Sequence, residues 1–371
     1  MTALIEPEAG PVVVRGVLWD GHQLRLVDDL ELRAPGPDEV RVRVEASGIC
    51  QSDLHVVDWA ADGPAVVLGH EAAGTVEAVG AEVVGIGVGD RVSVAAPTPC
   101  GTCRACRRGR LTLCPMAFSG AHLPFHWRGA EVRAYANVAS FAEAIVVRAS
   151  QLTLRRGLGA PGAALIGCAV STGYGVARNV VEVMPGDTVV VIGVGGIGVN
   201  VLQTARLLGA DRIVAVDVDA TKEEVARRFG ASAFVRADPS SDGPGLAAAL
   251  RAGAGDEIDA VVECSGVPAC MEAALLAPSP GGATAWVGHP RPGTRLSVDV
   301  DHVLLGRRRL LGSLNGDGRP GDQAEIVRLA LAGELELDGQ VSQVWPLAEV
   351  ADAIDAVRAG GLVRAVLDLT S

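Results

Sequence analysis

The chain has 371 residues, too long for one ordinary core and suited to two domains. A hydrophobic fraction of 49% with only 3% aromatic residues, and 47 glycines, favours layered α/β packing over an aromatic-rich sandwich. The formal charge of −12 excludes nucleic acid and anionic membranes as partners, because phosphate binding needs a basic surface; Arg107 to Arg110 and Arg307 to Arg309 read as solvated faces or interdomain pairs.

The opening "MTALIEPEAG" has neither a basic segment nor an apolar core of a leader, and nowhere does an apolar run reach about 18 residues. A soluble, cytoplasmic chain is expected. In that reducing compartment the eight cysteines point to metal or catalytic roles rather than a disulfide framework.

In chain order, "EVRVRVEASGI", "AAGTVEAVG", "DRVSVAAP" and "FAEAIVV" alternate and are punctuated by Gly and Pro, the pattern of an irregular antiparallel sheet or small barrel. The stretch "CGTCRACRRGRLTLC" between the third and fourth of these spaces four cysteines as C-x2-C-x2-C-x7-C: Cys100, Cys103, Cys106 and Cys114. Between Cys114 and Phe141 no period is visible, and the segment reads as a long surface excursion.

From about residue 188 the rhythm changes to short, continuous apolar runs, "TVVVIG", "RIVAVDV", "AFVRA", "IDAVVECSG" and "ATAWVG", with helical patterns between them. That is a parallel sheet covered on both faces. The segments "DQAEIVRLALAGEL" and "ADAIDAVRAGGLVRAVLDL" close the chain.

"VVVIGVGGIGVN" places Gly193, Gly195 and Gly198, with Gly196 and Ile197 between them, at G-x-G-x-x-G spacing after a strand and before a helix. Asp217 ends the next strand nineteen residues later. In this context the glycines allow a pyrophosphate to approach a helix N-terminus, and Asp217 would accept from ribose hydroxyls. A carboxylate there repels a 2′-phosphate, so NAD is expected over NADP. The plain alternative is a glycine-rich turn in a nucleotide-free domain.

Four thiolates can close a tetrahedral zinc shell and do structural work, although an iron–sulfur cluster or metal-free cysteines remain open on spacing alone. A second, dispersed set comprises Cys50 in "SGICQSDLH", His70 with Glu71 in "LGHEAAG", and Cys168 in "LIGCAVSTGYG". Two thiolates and an imidazole make a three-ligand shell with an open position. Cys264 and Cys270 lack such partners and read as core packing.

These motifs together, with "VRAVLDL" near the end, resemble the zinc-dependent alcohol dehydrogenases of the medium-chain dehydrogenase/reductase superfamily, longer-chain (class III-like) branch. The resemblance implies a GroES-like β catalytic domain at 1–170 and 315–371, carrying a structural zinc lobe at 96–115, and a Rossmann doubly wound parallel-sheet domain at 171–314. It implies two zinc ions per chain, a catalytic one held by Cys50, His70 and Cys168 with Glu71 beside it, and a structural one held by Cys100, Cys103, Cys106 and Cys114. An alcohol bound at the catalytic zinc would give up its proton and pass a hydride to NAD, with Ser52 and His55 relaying the proton. Lys222 would reach the adenosine ribose and Arg364 the pyrophosphate.

Departures mark the pocket. Gln51 stands where many relatives carry Arg or His, Ala96 where an aromatic often lies, and His289 where a small apolar residue is usual; Phe141 and Leu314, with Phe118, Phe125 and Trp127, are candidates for the remaining wall. A roomy, polar pocket for a small-molecule alcohol or carbonyl follows, in a homodimer or a tetramer. Rival readings are a thiol-adduct formaldehyde dehydrogenase, a biosynthetic reductase of a C=C or C=N bond, and a cofactor-binding protein without catalysis.

Overall fold

The alternating run Glu39–Ile49 forms an 11-residue strand, and the first unit is organised around it. The computed structural model describes residues 10–59, 64–255 and 257–371; the opening 1–9, read above for the absence of a leader, lies outside them. The chain divides into two compact units. One runs up to Cys168 and takes in Gln323–Leu331 and Leu337–Ser371, and the other comprises Ala169–Asp322 and Ala332–Glu336. The return thus falls at 323 rather than 315, because the short helix Asn315–Asp317 packs on helix Ala169–Gly175 within the second unit.

In the first unit, a seven-stranded sheet runs in the order Leu152–Leu154, Arg91–Val94, Glu71–Val79, Glu39–Ile49, Arg364–Asp368, Val341–Pro346, with Ala144–Arg148 also paired to Glu39–Ile49. Strands Val12–Trp19, Leu24–Leu32, Phe125–Trp127, Ala130–Ala134 and Val66–Val67 close into a barrel. The inward residues Val40, Val42 and Val44 are fully buried in one continuous core with Leu18, Leu30 and Ile145. Each such side chain contributes about 1.5–3 kcal/mol relative to exposure.

The segment after Cys114 is not a surface excursion. It supplies two barrel strands joined by a two-residue turn at Arg128 (φ 52°) and Gly129 (φ 80°), and Phe125 and Phe141 lie fully buried in the core. Arg-Gly lacks the Asn-Gly signal that advertises such a turn.

The second unit holds a six-stranded parallel sheet in the order Ala233–Arg236, Arg212–Asp217, Thr188–Ile192, Ala260–Glu263, Ala283–Trp286, Arg309–Gly312. That is the doubly wound 3-2-1-4-5-6 order. Among the described residues no single helix is long and apolar enough to cross a membrane.

Candidate active site

Strand register brings the first cluster together. Glu39–Ile49 pairs antiparallel with Glu71–Val79 so that Gly48 faces Glu71, which sets Cys50, just past one strand, beside His70, just before the other. Gly48 is required there: a Cβ would lie 2.0 Å from Glu71 Oε2. Cys168 arrives from the short helix Leu165–Gly167. One ligand atom each from Cys50, His70, Glu71 and Cys168 then lies within 4.8 Å of the others.

Asp53, fully buried in helix Gln51–Trp59, fixes this arrangement. Its carboxylate accepts from the Cys50 amide (2.9 Å), the Gly69 amide (3.0 Å) and His70 Nδ1 (3.2 Å). When the ring carries a single proton, Asp53 holds that proton on Nδ1 and leaves Nε2 as a lone pair, the arrangement a metal-ligating imidazole needs. Ser52 Oγ lies 3.4 Å from that Nε2. His55, half-buried, follows Ser52 by three residues on the same helix, and Gln51 is exposed at its start.

The electrostatics are those of a cation site. The thiol hydrogen bond from Cys168, assisted by the His70 charge, holds Cys50 well below the usual thiol range despite burial. The same bond and burial push Cys168 well above it. Burial alone would lower His70, but the Asp53, Cys168 and Cys50 charges outweigh it and raise the ring. Glu71 is raised by burial in spite of Arg364. Glu71 Oε2 pairs with Arg364 while Oε1, fully buried, has no partner among the described residues. Two thiols, an imidazole lone pair and an orphaned carboxylate oxygen converging in a buried space fit a zinc-sized cation.

Arg364, expected at a pyrophosphate, is 7% exposed and holds Glu71 within the first unit. Of the pocket candidates, Phe141 and Ala96 are interior residues of the first unit, at 0% and 2% exposure, so Phe141 is core rather than wall. His289 and Leu314 belong to the second unit and are exposed. Phe118 packs on the core, and Trp127 bonds Asp29 Oδ1 (2.7 Å) under the Arg128 guanidinium.

The four-cysteine segment forms the second cluster, its sulfurs also within 4.8 Å of one another. A tetrahedral zinc–thiolate shell needs sulfurs ~3.8 Å apart; Cys103 and Cys106 Sγ are 3.5 Å apart. The amides of Cys103, Cys106 and Met116 point at sulfur, as does that of Cys100 at Cys114 Sγ (3.3 Å). Bonds from Thr102 bring Cys100 down to about 6, whereas desolvation pushes Cys106 up to about 12.

In the second unit Gly193 takes φ 95° at the turn, a Cβ on Gly195 would meet nothing within 4 Å, and one on Gly198 would lie 1.9 Å from the Gly193 carbonyl. Those are the three needs of a pyrophosphate cradle: a sharp turn, an open approach and close helix–strand packing. Helix Gly196–Leu207, which includes Ile197, points its N-terminus at this space. Asp217 accepts from Val194 N (2.8 Å) and Asp219 N (3.0 Å) at the same end of the sheet. Lys222 is buried nearby, lowered by desolvation against the opposing charges of Asp217 and Asp219. Cys264 and Cys270 are half-buried: Cys264 stands against the Gly193 turn, and Cys270 packs against a core cluster, as expected of it.

Sequence reasoning missed Asp53, whose role requires knowing where His70 lies, and Tyr135. The Tyr135 hydroxyl donates to the Ser52 carbonyl (3.1 Å), and its ring meets His70 edge-on at 5.4 Å.

Comparison with known proteins bears on both units. Residues 36–156 match the model of the alcohol dehydrogenase GroES-like domain and residues 196–332 that of the zinc-binding dehydrogenase. The chain is 35% identical to "Putative alcohol dehydrogenase D" of Mycobacterium tuberculosis, over 95% of this chain and 98% of the relative. It is 29% identical to the S-(hydroxymethyl)glutathione dehydrogenase of Candida maltosa, over 95% and 96%. Among solved structures, benzyl alcohol dehydrogenase from Acinetobacter calcoaceticus superposes with a TM-score of 0.87 at 28% identity, covering 96% of this chain and 99% of that one. A zinc-binding dehydrogenase of Sinorhizobium meliloti bound to NADP does so with a TM-score of 0.77 at 28% identity, covering 96% and 99%. The chain is an oxidoreductase and belongs to the zinc-type alcohol dehydrogenases of the medium-chain dehydrogenase/reductase superfamily.

Proposed function

We propose that the protein interconverts an alcohol and its aldehyde or ketone with NAD(H), using one zinc ion at Cys50, His70 and Cys168 and a second at the four-cysteine lobe. The observation that carries this reading is the convergence of the three ligands with a hydroxyl, Ser52 Oγ, 3.4 Å from His70 Nε2. Zinc held there would act as a Lewis acid, lowering the pKa of an alcohol or polarising a carbonyl. Asp53 keeps His70 in the ligating tautomer. Ser52 accepts the substrate's hydroxyl proton in hydrogen-bond reach of the cluster. His55, three residues along the same helix, takes that proton towards solvent, a task suited to an imidazole, which can both accept and release a proton. Retention of the Ser52 hydroxyl disfavours a C=C or C=N reductase, and the complete ligand set disfavours a protein without catalysis.

Asp217 supports NAD, since its carboxylate would meet a 2′-phosphate with like charge, although one structural neighbour carries NADP. The likeness to an S-(hydroxymethyl)glutathione dehydrogenase favours a second reading, oxidation of a thiol–formaldehyde adduct in the class III-like manner. A homodimer is also proposed: strand Arg309–Gly312 ends the parallel sheet, and helix Val300–Gly306 beside it exposes Val300 (69%), Leu304 (66%) and Leu305 (75%). The eight cysteines, none in a disulfide, suit a cytoplasmic location.

The test is a panel of alcohols and aldehydes followed by NADH absorbance, with NAD and NADP in parallel and with or without a small thiol, on protein of measured zinc content. NAD-dependent turnover with two zinc ions per chain is expected. Turnover of formaldehyde only with thiol would select the second reading. Two zinc ions without any turnover would overturn both.

A further inference from the structure

The turn Tyr135–Asn137 and the residues after it run against local preference. Ala136, Asn137 and Ala139 have φ of 49°, 61° and 62°, a left-handed region that persists in non-glycine residues only where the surroundings over-determine it. Bonds on two sides do so.

On one side, Asn137 is 2% exposed and donates from Nδ2 to Thr98 Oγ1 (2.7 Å) and to the Ala117 carbonyl (3.3 Å). Thr98 Oγ1 in turn donates to the Met116 carbonyl (3.0 Å), and the Met116 amide donates to Cys114 Sγ (3.4 Å). This side is therefore the root of the four-cysteine lobe. On the other side, the Ser140 amide donates to the Gly69 carbonyl (3.0 Å) and the Phe141 amide to that of Leu68 (2.9 Å), the two residues that lead into His70. Tyr135 adds its hydroxyl bond to the Ser52 carbonyl and its edge-on contact with His70.

We propose that Asn137 and Tyr135 are positioning residues that carry the geometry of the four-cysteine lobe to Ser52 and His70, so that the lobe governs the rate of the reaction as well as holding the fold. The link consists of directional bonds, buried at Asn137 and partly buried at its two ends, and displacement of a reacting group by about 1 Å is enough to cost rate heavily. The rate part rests on the alcohol dehydrogenase reading above. None of Thr98, Ala117 and Asn137 is a ligand in either cluster, so any effect of theirs on the catalytic centre is carried by other residues, and Tyr135→Phe and Asn137→Gly isolate the route through the turn.

The experiment compares Tyr135→Phe, Thr98→Val and Asn137→Gly, the last keeping the left-handed backbone, with the parent protein. Each is prepared with zinc in the lobe and cobalt(II) in the Cys50–His70–Cys168 site. The expected result is a kcat lowered about 3- to 10-fold with KM nearly unchanged, the scale of one lost neutral hydrogen bond. It should be accompanied by displaced cobalt absorption bands, with an unchanged melting temperature in Tyr135→Phe. Cobalt bands superposing on the parent's, with any loss of kcat following only the loss of melting temperature, would overturn the proposal. A parent that oxidises no alcohol would sink the functional reading alone, because the cobalt bands of the three variants still decide whether the turn positions the site.

Discussion

Asp53 shows how one carboxylate can order a cluster of thiols and imidazole that it does not itself join. Its two oxygens serve three donors, so Asp53→Asn places an amide NH2 against either the Cys50 amide or the paired Gly69 and His70 donors. We expect a 10- to 100-fold loss of metal affinity or activity, the usual scale for a partner of a ligating histidine. Zinc retained against a graded chelator is the measurement, and parent-like retention would contradict the role. The four clustered cysteines were legible because thiols at such intervals commonly hold a metal, whereas Cys50 and Cys168 were placed only by the resemblance of their motifs to the family. Asp53 was not, since an acidic residue in a helix's first turn already has an ordinary explanation in the helix dipole. The pairing of Arg364 with Glu71 was not legible for a related reason: the two are 293 residues apart in sequence.

At the scale of single elements, periodicity read well where one face is buried. "EVRVRVEASGI" is the strand Glu39–Ile49 residue for residue, and the continuous runs of the second half all became parallel strands. The barrel strands after Cys114 escaped because they are 3 and 5 residues long and their Arg-Gly turn carries no recognisable signal. Two predictions belong here. Asp217, at the end of strand Arg212–Asp217, is expected to set cofactor choice. Asp217→Ser should raise KM for NAD about 10- to 100-fold and narrow the preference over NADP, as initial rates with both cofactors will show. Asp20 organises the barrel's first hairpin, accepting from Arg25 Nε (2.5 Å), Gln23 N (2.8 Å) and His22 N (2.9 Å), and these bonds lower its pKa to about 2 from an ordinary 3.8. A depressed carboxyl stabilises above its unfolded pKa and stops doing so as pH falls through the folded one. The difference in melting temperature between the parent and Asp20→Asn should therefore be full above about pH 4 and vanish towards pH 2.

For the whole molecule, the second unit carries an apolar face beside the last strand of its sheet. If that face joins two copies, Leu305→Glu buries a charge in the contact, and light scattering should show the dimer giving way to monomer. A monomeric parent would contradict the arrangement. The net charge of −12 was informative only by exclusion, since it says nothing about which face a second copy would use.

Strand Arg364–Asp368 is not an addition at the margin of the first unit. It lies between Glu39–Ile49 and Val341–Pro346, hydrogen-bonded to both. During synthesis, the ribosome therefore releases the early strands long before their neighbour exists, while the whole parallel sheet of the second unit has already emerged. The second unit can close first, and until that strand arrives the Ala46–Ile49 end of Glu39–Ile49 presents a bare edge and Glu71 a buried carboxylate without its arginine. Losing the last eight residues would leave a nascent chain whose first unit is arrested with that edge open to other chains.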